Sequence, residues 1–144
     1  MFRGRYEHTI DSKGRVSIPS KFREILAELG ESKLVITQLD GALIAYPYKE
    51  WTILEERMAG LSEFKSDTRR FLRDFYSSAF DCTIDKLGRI LVPQSLRSYA
   101  RLDKDVMIIG IFRQFEIWSK ELWEEREKNK SQEEICDMLD RLSF

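Results

Sequence analysis

The sequence predicts an α+β fold, mainly β with helical additions, in which two small tandem domains make a pseudo-twofold pair. Three observations predict it. The chain of 144 residues repeats itself once. Each copy carries short stretches rich in β-branched residues, separated by turn residues. Each copy also carries segments with apolar residues at helical spacing.

The repeat comes first, because missing it misreads the whole fold. At an offset of 74, His8–Arg23 falls on Cys82–Arg97, and Thr, Ile, Asp, Gly, Arg, Pro and a second Arg coincide. At an offset of 72, Leu34–Trp51 falls on Val106–Trp123, placing Tyr46 over Trp118 and Trp51 over Trp123. Two copies are too few for a solenoid and suit a paired arrangement.

In chain order, "HTID" and "CTID" read as short strands. "SKG" and "KLG" read as turns in which Gly14 and Gly88 supply positive φ. "RVSIP" and "RILVP" are return strands, stopped by Pro19 and Pro93, which cannot donate to a central ladder. Short helices follow over Ser20–Leu29 and from Gln94 to Tyr99 or slightly beyond, with each proline at the helix start. Then come two apolar hairpins, "KLVITQLDGALIAYP" turning at Asp40-Gly41 and "DVMIIGIFRQFEIW" turning near Arg113-Gln114. The helix "KEWTILEERMAGL" carries Trp51, Leu54, Met58 and Leu61 on one face. "SDTRRFLRDFYSSAF" reads as a further helix capped by Ser66 or Asp67. "KELWEEREKNKSQEEICDMLDRL" reads as one charged helix with an apolar stripe of Ile135, Met138, Leu139 and Leu142. This gives a first domain over 5–52, a helical connector over 53–80, a second domain over 81–124 and a C-terminal helix over 125–144.

Composition excludes several classes. Hydrophobic residues at 42% and aromatics at 12% can form a packed core, so the chain is not a disordered one. No apolar run approaches the roughly 18 residues of a membrane span, and the start lacks the apolar middle of a signal peptide. Cys82 and Cys136 are single, far apart and without zinc spacing, and read as reduced, half-buried small residues of a cytosolic protein. His8 is the sole histidine, and no GxSxG, HExxH or phosphate-loop spacing occurs, so the reading is not an enzyme. Neither a cofactor nor a small-molecule ligand is indicated.

Net charge is −1, but its distribution is uneven. Arg3, Arg5, Lys13, Arg15, Lys21 and Arg23 dominate the first 23 residues, whereas Glu and Asp dominate the last 26. A basic head suggests an anionic partner. Asp11 and Asp85 each precede an arginine by four residues across a turn. They are read as pins for that turn, through its backbone amides and its arginine. Arg15 and Arg89 can present their forks to phosphates or a guanine edge. Copy one alone has the Arg3/Arg5 lead-in, and its Lys13 stands where copy two has Leu87. Copy one is therefore the expected reader.

The "MFRGRY…IDSKGRVSIPSKFRE" start, with "DKLGRILVP" some seventy residues on, resembles the MraZ family across essentially the whole chain. The resemblance implies two tandem SpoVT-AbrB domains, AbrB-like swapped hairpins forming an intramolecular pseudo-dimeric barrel. It implies a transcriptional repressor of the bacterial division and cell-wall gene cluster that includes its own gene. The partners implied are double-stranded promoter DNA, met at tandem short G-rich boxes, and further copies of the chain in a ring. Residence in the cytoplasm at the nucleoid follows. By position, Arg3, Lys13 and Arg15 match the basic residues of the family's first motif. Arg5 stands beside them at a position that is not always basic, and Arg89 matches the second Asp-x-x-x-Arg. A second reading is a protein-interaction module, since related swapped-hairpin domains serve as antitoxins; those usually carry one domain and a disordered tail, unlike the two domains here.

Overall fold

The computed structural model describes residues 1–143. In chain order the elements are β1 (Phe2–Thr9), β2 (Arg15–Ser17), α1 (Ser20–Glu28), β3 (Lys33–Leu39), β4 (Ala42–Pro47) and α2 (Tyr48–Ala59). Then follow α3 (Ser66–Phe71), running into a π-helical turn (Leu72–Tyr76), β5 (Phe80–Thr83), β6 (Arg89–Leu91) and α4 (Gln94–Ala100). The chain ends with β7 (Asp105–Phe112), β8 (Gln114–Ser119), α5 (Lys120–Asn129) and α6 (Gln132–Arg141).

The expected exchange between copies is present, and it defines the topology. A six-stranded antiparallel sheet runs β1-β7-β8-β4-β3-β5. The first strand of copy one thus pairs with the hairpin of copy two, from Phe2↔Phe112 to Thr9↔Asp105. The first strand of copy two pairs with the hairpin of copy one, from Lys33↔Thr83 to Ile36↔Phe80. The hairpins meet along β4 and β8. A separate two-stranded ribbon, β2 with β6, joins the copies once more. The sheet's edge strands β1 and β5 are linked through this ribbon by the Asp11–Arg15 and Asp85–Arg89 turns, and by an Ile10–Val16 bridge.

The core lies between sheet, ribbon and the two short helices. Phe2, Phe22 and Phe115 meet with ring centroids 5.2–5.4 Å apart. Val16, Ile18, Leu26, Ile90, Val92 and Leu96 complete it from both copies. Neither half can bury this surface alone, as expected for units of about 70 residues. A second cluster lies on the outer side of the β3–β4 hairpin. There the π-helical turn seats Phe75 5.9 Å from Trp51, with Val35, Ile44 and Met58 around them. Thr37, fully buried, donates its hydroxyl to the Phe75 carbonyl at 2.5 Å.

Local chemistry explains most element ends. Pro19, Pro47 and Pro93 occupy the cap positions of α1, α2 and α4. Asp40 and Gly41 both take positive φ (53° and 80°), the conformation of a tight hairpin turn. Four expectations are corrected. The first strand starts at Phe2 rather than His8, because its partner β7 is long and lies in the other copy. The connector helix starts after Lys65, with neither Ser66 nor Asp67 in the cap position, and ends in a π-helical turn. The C-terminal segment is two helices, because Ser131 and Glu134 form a reciprocal capping box that starts α6 anew. Cys136 is exposed rather than half-buried, since α6 buries none of its side chains; Cys82 is buried.

Candidate nucleic-acid interface

Two identical turns frame the ribbon. In the first, Asp11 Oδ1 accepts the backbone N–H groups of Lys13 (3.0 Å) and Arg15 (2.9 Å), and Oδ2 accepts Arg15 Nε–H at 2.7 Å. In the second, Asp85 Oδ1 accepts from Leu87 and Arg89, each at 2.9 Å, and Oδ2 accepts Arg89 Nε–H at 2.9 Å. The carboxylates are therefore pins, as their spacing suggests. The N–H of Arg15 is the main cause that holds the Asp11 carboxyl down at about 2, and the N–H of Arg89 lowers Asp85 in the same way. Each arginine is fixed by Nε, and its two terminal nitrogens have no partner among the described residues.

Each turn also docks on the other copy. Gly14 O accepts from Val92 N–H at 2.8 Å, and Gly88 O accepts from Ile18 N–H at 2.9 Å. The guanidinium of Arg97 lies over Gly14 and donates Nε–H to Val92 O at 3.0 Å; Arg23 lies over Gly88 and donates to Ile18 O at 3.1 Å. A Cβ on Gly14 would sit 2.8 Å from Val92 O, and one on Gly88 2.5 Å from Arg23 Cδ. Glycine is thus required twice over, for φ of +92° and +76° and for this close cover. The second shared arginine of the repeat, Arg23 and Arg97, was a signal of this role that pattern reading left without one.

The ribbon has two faces. Val16 and Ile90 point inward, each 1% exposed. Arg15 and Ser17 point outward, paired with Leu91 and Arg89 respectively. Arg15 and Arg89 therefore share one solvent-facing surface at diagonal positions, with exposed Lys13 and Lys86 at the turn tips. Lys86 was missed because it aligns with Ser12 and not with a basic residue of copy one.

The lead-in residues go elsewhere. Arg3 lies about 25 Å along β1 from the turn, at roughly 3.3 Å per residue, and is exposed beside Ile111. Arg5 bonds Glu127 of α5 at 3.1 Å and stacks 5.2 Å over the Trp123 ring. Lys120 bonds Glu7 at 3.0 Å. Part of the basic head is thus matched by the chain's own acidic tail. The structure brings Lys13, Arg15 and Arg89 together and separates Arg3 and Arg5 from them. Among the described residues no cluster of His, Cys, Asp or Glu fits a metal ion, and no helix is long and apolar enough to cross a membrane.

A tandem unit whose copies exchange strands and present a paired-turn ribbon defines the class. The family model described as "MraZ protein, putative antitoxin-like" matches twice, over residues 1–74 and 75–142. Proteins named "Transcriptional regulator MraZ" are similar over the whole of both chains. That of Caldanaerobacter subterraneus subsp. tengcongensis is 49% identical, that of Clostridium tetani 47% and that of Caldicellulosiruptor saccharolyticus 46%. The chain belongs to the MraZ family.

Proposed function

We propose that the chain is a DNA-binding transcriptional regulator that meets DNA with the outer face of the β2–β6 ribbon. The observation that carries this reading is the shared surface of Arg15 and Arg89. Both forks are oriented by a carboxylate and both leave two nitrogens outward. A two-stranded ribbon fits the major groove, and an arginine fork suits guanine or phosphate. Lys13 adds charge at the tip, Arg3 is assigned in this reading to a flanking phosphate, and Arg5 is paired with Glu127 of α5.

The finer reading is repression of the division and cell-wall cluster through tandem short G-rich boxes, by a ring of several chains at the nucleoid. One ribbon neutralises few phosphates and binds weakly; several ribbons on repeated boxes gain through effective concentration. Assembly is supported by α6, whose Ile135, Met138, Leu139 and Leu142 remain 39–67% exposed. Light scattering on the full chain and on a chain ended at Lys130 tests this part. A smaller particle after truncation is expected, and an unchanged one excludes α6 as the contact.

The whole reading is tested by titrating purified chain into a promoter fragment across a salt series. Log K should fall by about 0.9 per neutralised phosphate for each unit of log salt. Affinity that ignores salt would overturn it. A band shift by the chain alone also separates this reading from an antitoxin-type module, which acts through a partner protein.

A further inference from the structure

The two strands of the ribbon carry the same arginine among different neighbours, although each turn has one lysine, Lys13 in copy one and Lys86 in copy two. On the outward side, copy one presents Lys13, Arg15 and Ser17, and copy two presents Leu87, Arg89 and Leu91 at the same positions. The backbone is the same on both sides, down to the Asp–amide bonds. Leu87 is 68% exposed and Leu91 58% exposed, and Leu91 stands directly across from Arg15. A single surface leucine needs no explanation. Two that replace polar residues on both sides of a DNA-facing arginine do.

We propose that this is a specificity device, resting on the DNA reading above. The copy-one half reads acceptor edges such as guanine N7 and O6 with Lys13 and Arg15. Leu91, across from Arg15, and Leu87, beside Arg89 at the other end of the ribbon, read thymine C5-methyl groups. Cations and hydroxyls suit acceptors in the major groove, while apolar side chains suit the thymine methyl. A symmetric pair of identical turns would read two equal half-sites. This ribbon instead reads a directional box, because one end carries Lys13, Arg15 and Leu91 and the other Leu87, Arg89 and Ser17. The exposed leucines are continuous with the basic ribbon, so the groove that receives Arg89 also receives them.

The experiment uses the full chain and a promoter duplex from upstream of its own coding sequence. Each thymine is replaced in turn by deoxyuridine, which lacks only the methyl, and each guanine by 7-deazaguanine, which lacks the N7 acceptor. At one or two thymine positions the loss of the methyl should lower affinity about three- to fivefold. In the Leu87→Lys/Leu91→Ser variant those positions should become indifferent to the methyl, while sensitivity to 7-deazaguanine persists. Lys13→Leu should do the reverse. Wild-type affinity that ignores every methyl overturns the inference. So does a leucine variant that still senses those methyls, because the leucines would then not be the readers, and so does a smaller particle by light scattering in that variant, because they would then be a subunit contact. Failure of the wild-type chain to bind the unmodified duplex overturns the DNA reading itself, and this inference with it.

Discussion

The Asp11–Arg15 and Asp85–Arg89 turns share every bond that shapes them, yet Lys13 faces solvent in one and Leu87 in the other. The letters that fold the chain are written twice because each copy completes the other: Gly14 bonds Val92, and Gly88 bonds Ile18. The letters that face outward are under no such constraint and have diverged. Duplication thus binds the fold and releases the surface.

The largest break in this comparison is a methyl at a turn glycine. Gly14→Ala should cost about 3 kcal/mol, from positive-φ strain plus a clash, as read by urea unfolding. Its new Cβ meets Arg97 Nε at 2.7 Å and also the fixed Val92 carbonyl oxygen at 2.8 Å, whereas in Gly88→Ala the three nearest atoms all belong to the movable Arg23 side chain. Gly88→Ala should therefore cost less. Equal costs would show that the docking is looser than described.

Next is binding. Arg15→Ala should weaken promoter affinity roughly ten- to hundredfold. Arg89→Ala should matter less, because Leu87 and Leu91 flank it where Lys13 and Ser17 flank Arg15, and Lys86 stands one residue further from its arginine than Lys13 does. Neither should alter the unfolding midpoint by more than a small shift, since exposed ion pairs contribute about 0–1 kcal/mol. Binding measured by fluorescence anisotropy with denaturation on the same samples separates the two effects.

Smaller effects belong to the arginine covers. Arg23→Ala and Arg97→Ala should each cost about 1 kcal/mol, the scale of one lost hydrogen bond and its packing. They should cost alike, because the covers are reciprocal.

The turn and strand chemistry was legible in the sequence, since Asp-x-x-Gly-Arg, Pro and Asp-Gly act within a few residues of themselves. The exchange of β1 and β5 was legible through the family resemblance; the length of β1 was not, because its register is set by β7 in the other copy. The pairing of Arg15 and Arg89 on one ribbon was hidden for the same reason. The basic head pointed to an anionic partner, but Arg5 found one in Glu127, more than a hundred residues away. Charge runs report composition, and only the fold says which charges face each other.

The smallest expected effect is on acid stability. Asp11 is held at about 2 in the folded chain, below the ordinary unfolded value near 3.9. Between those values the unfolded chain binds the extra proton, so this contribution is complete above about pH 4 and is lost as pH falls toward 2. Asp11→Asn should flatten that limb of the melting-temperature profile, and Asp85→Asn should do so in the same direction.

The ribbon claim is tested most directly by the salt dependence of promoter binding in Arg15→Ala and Arg5→Ala. In Arg15→Ala, which removes a base contact, affinity should fall roughly ten- to hundredfold at each salt concentration, and in Arg5→Ala both the affinity and the slope of log K against log salt should stay at the wild-type value. An affinity unchanged by Arg15→Ala and a slope reduced by Arg5→Ala would place the DNA on the edge of β1 and contradict the ribbon.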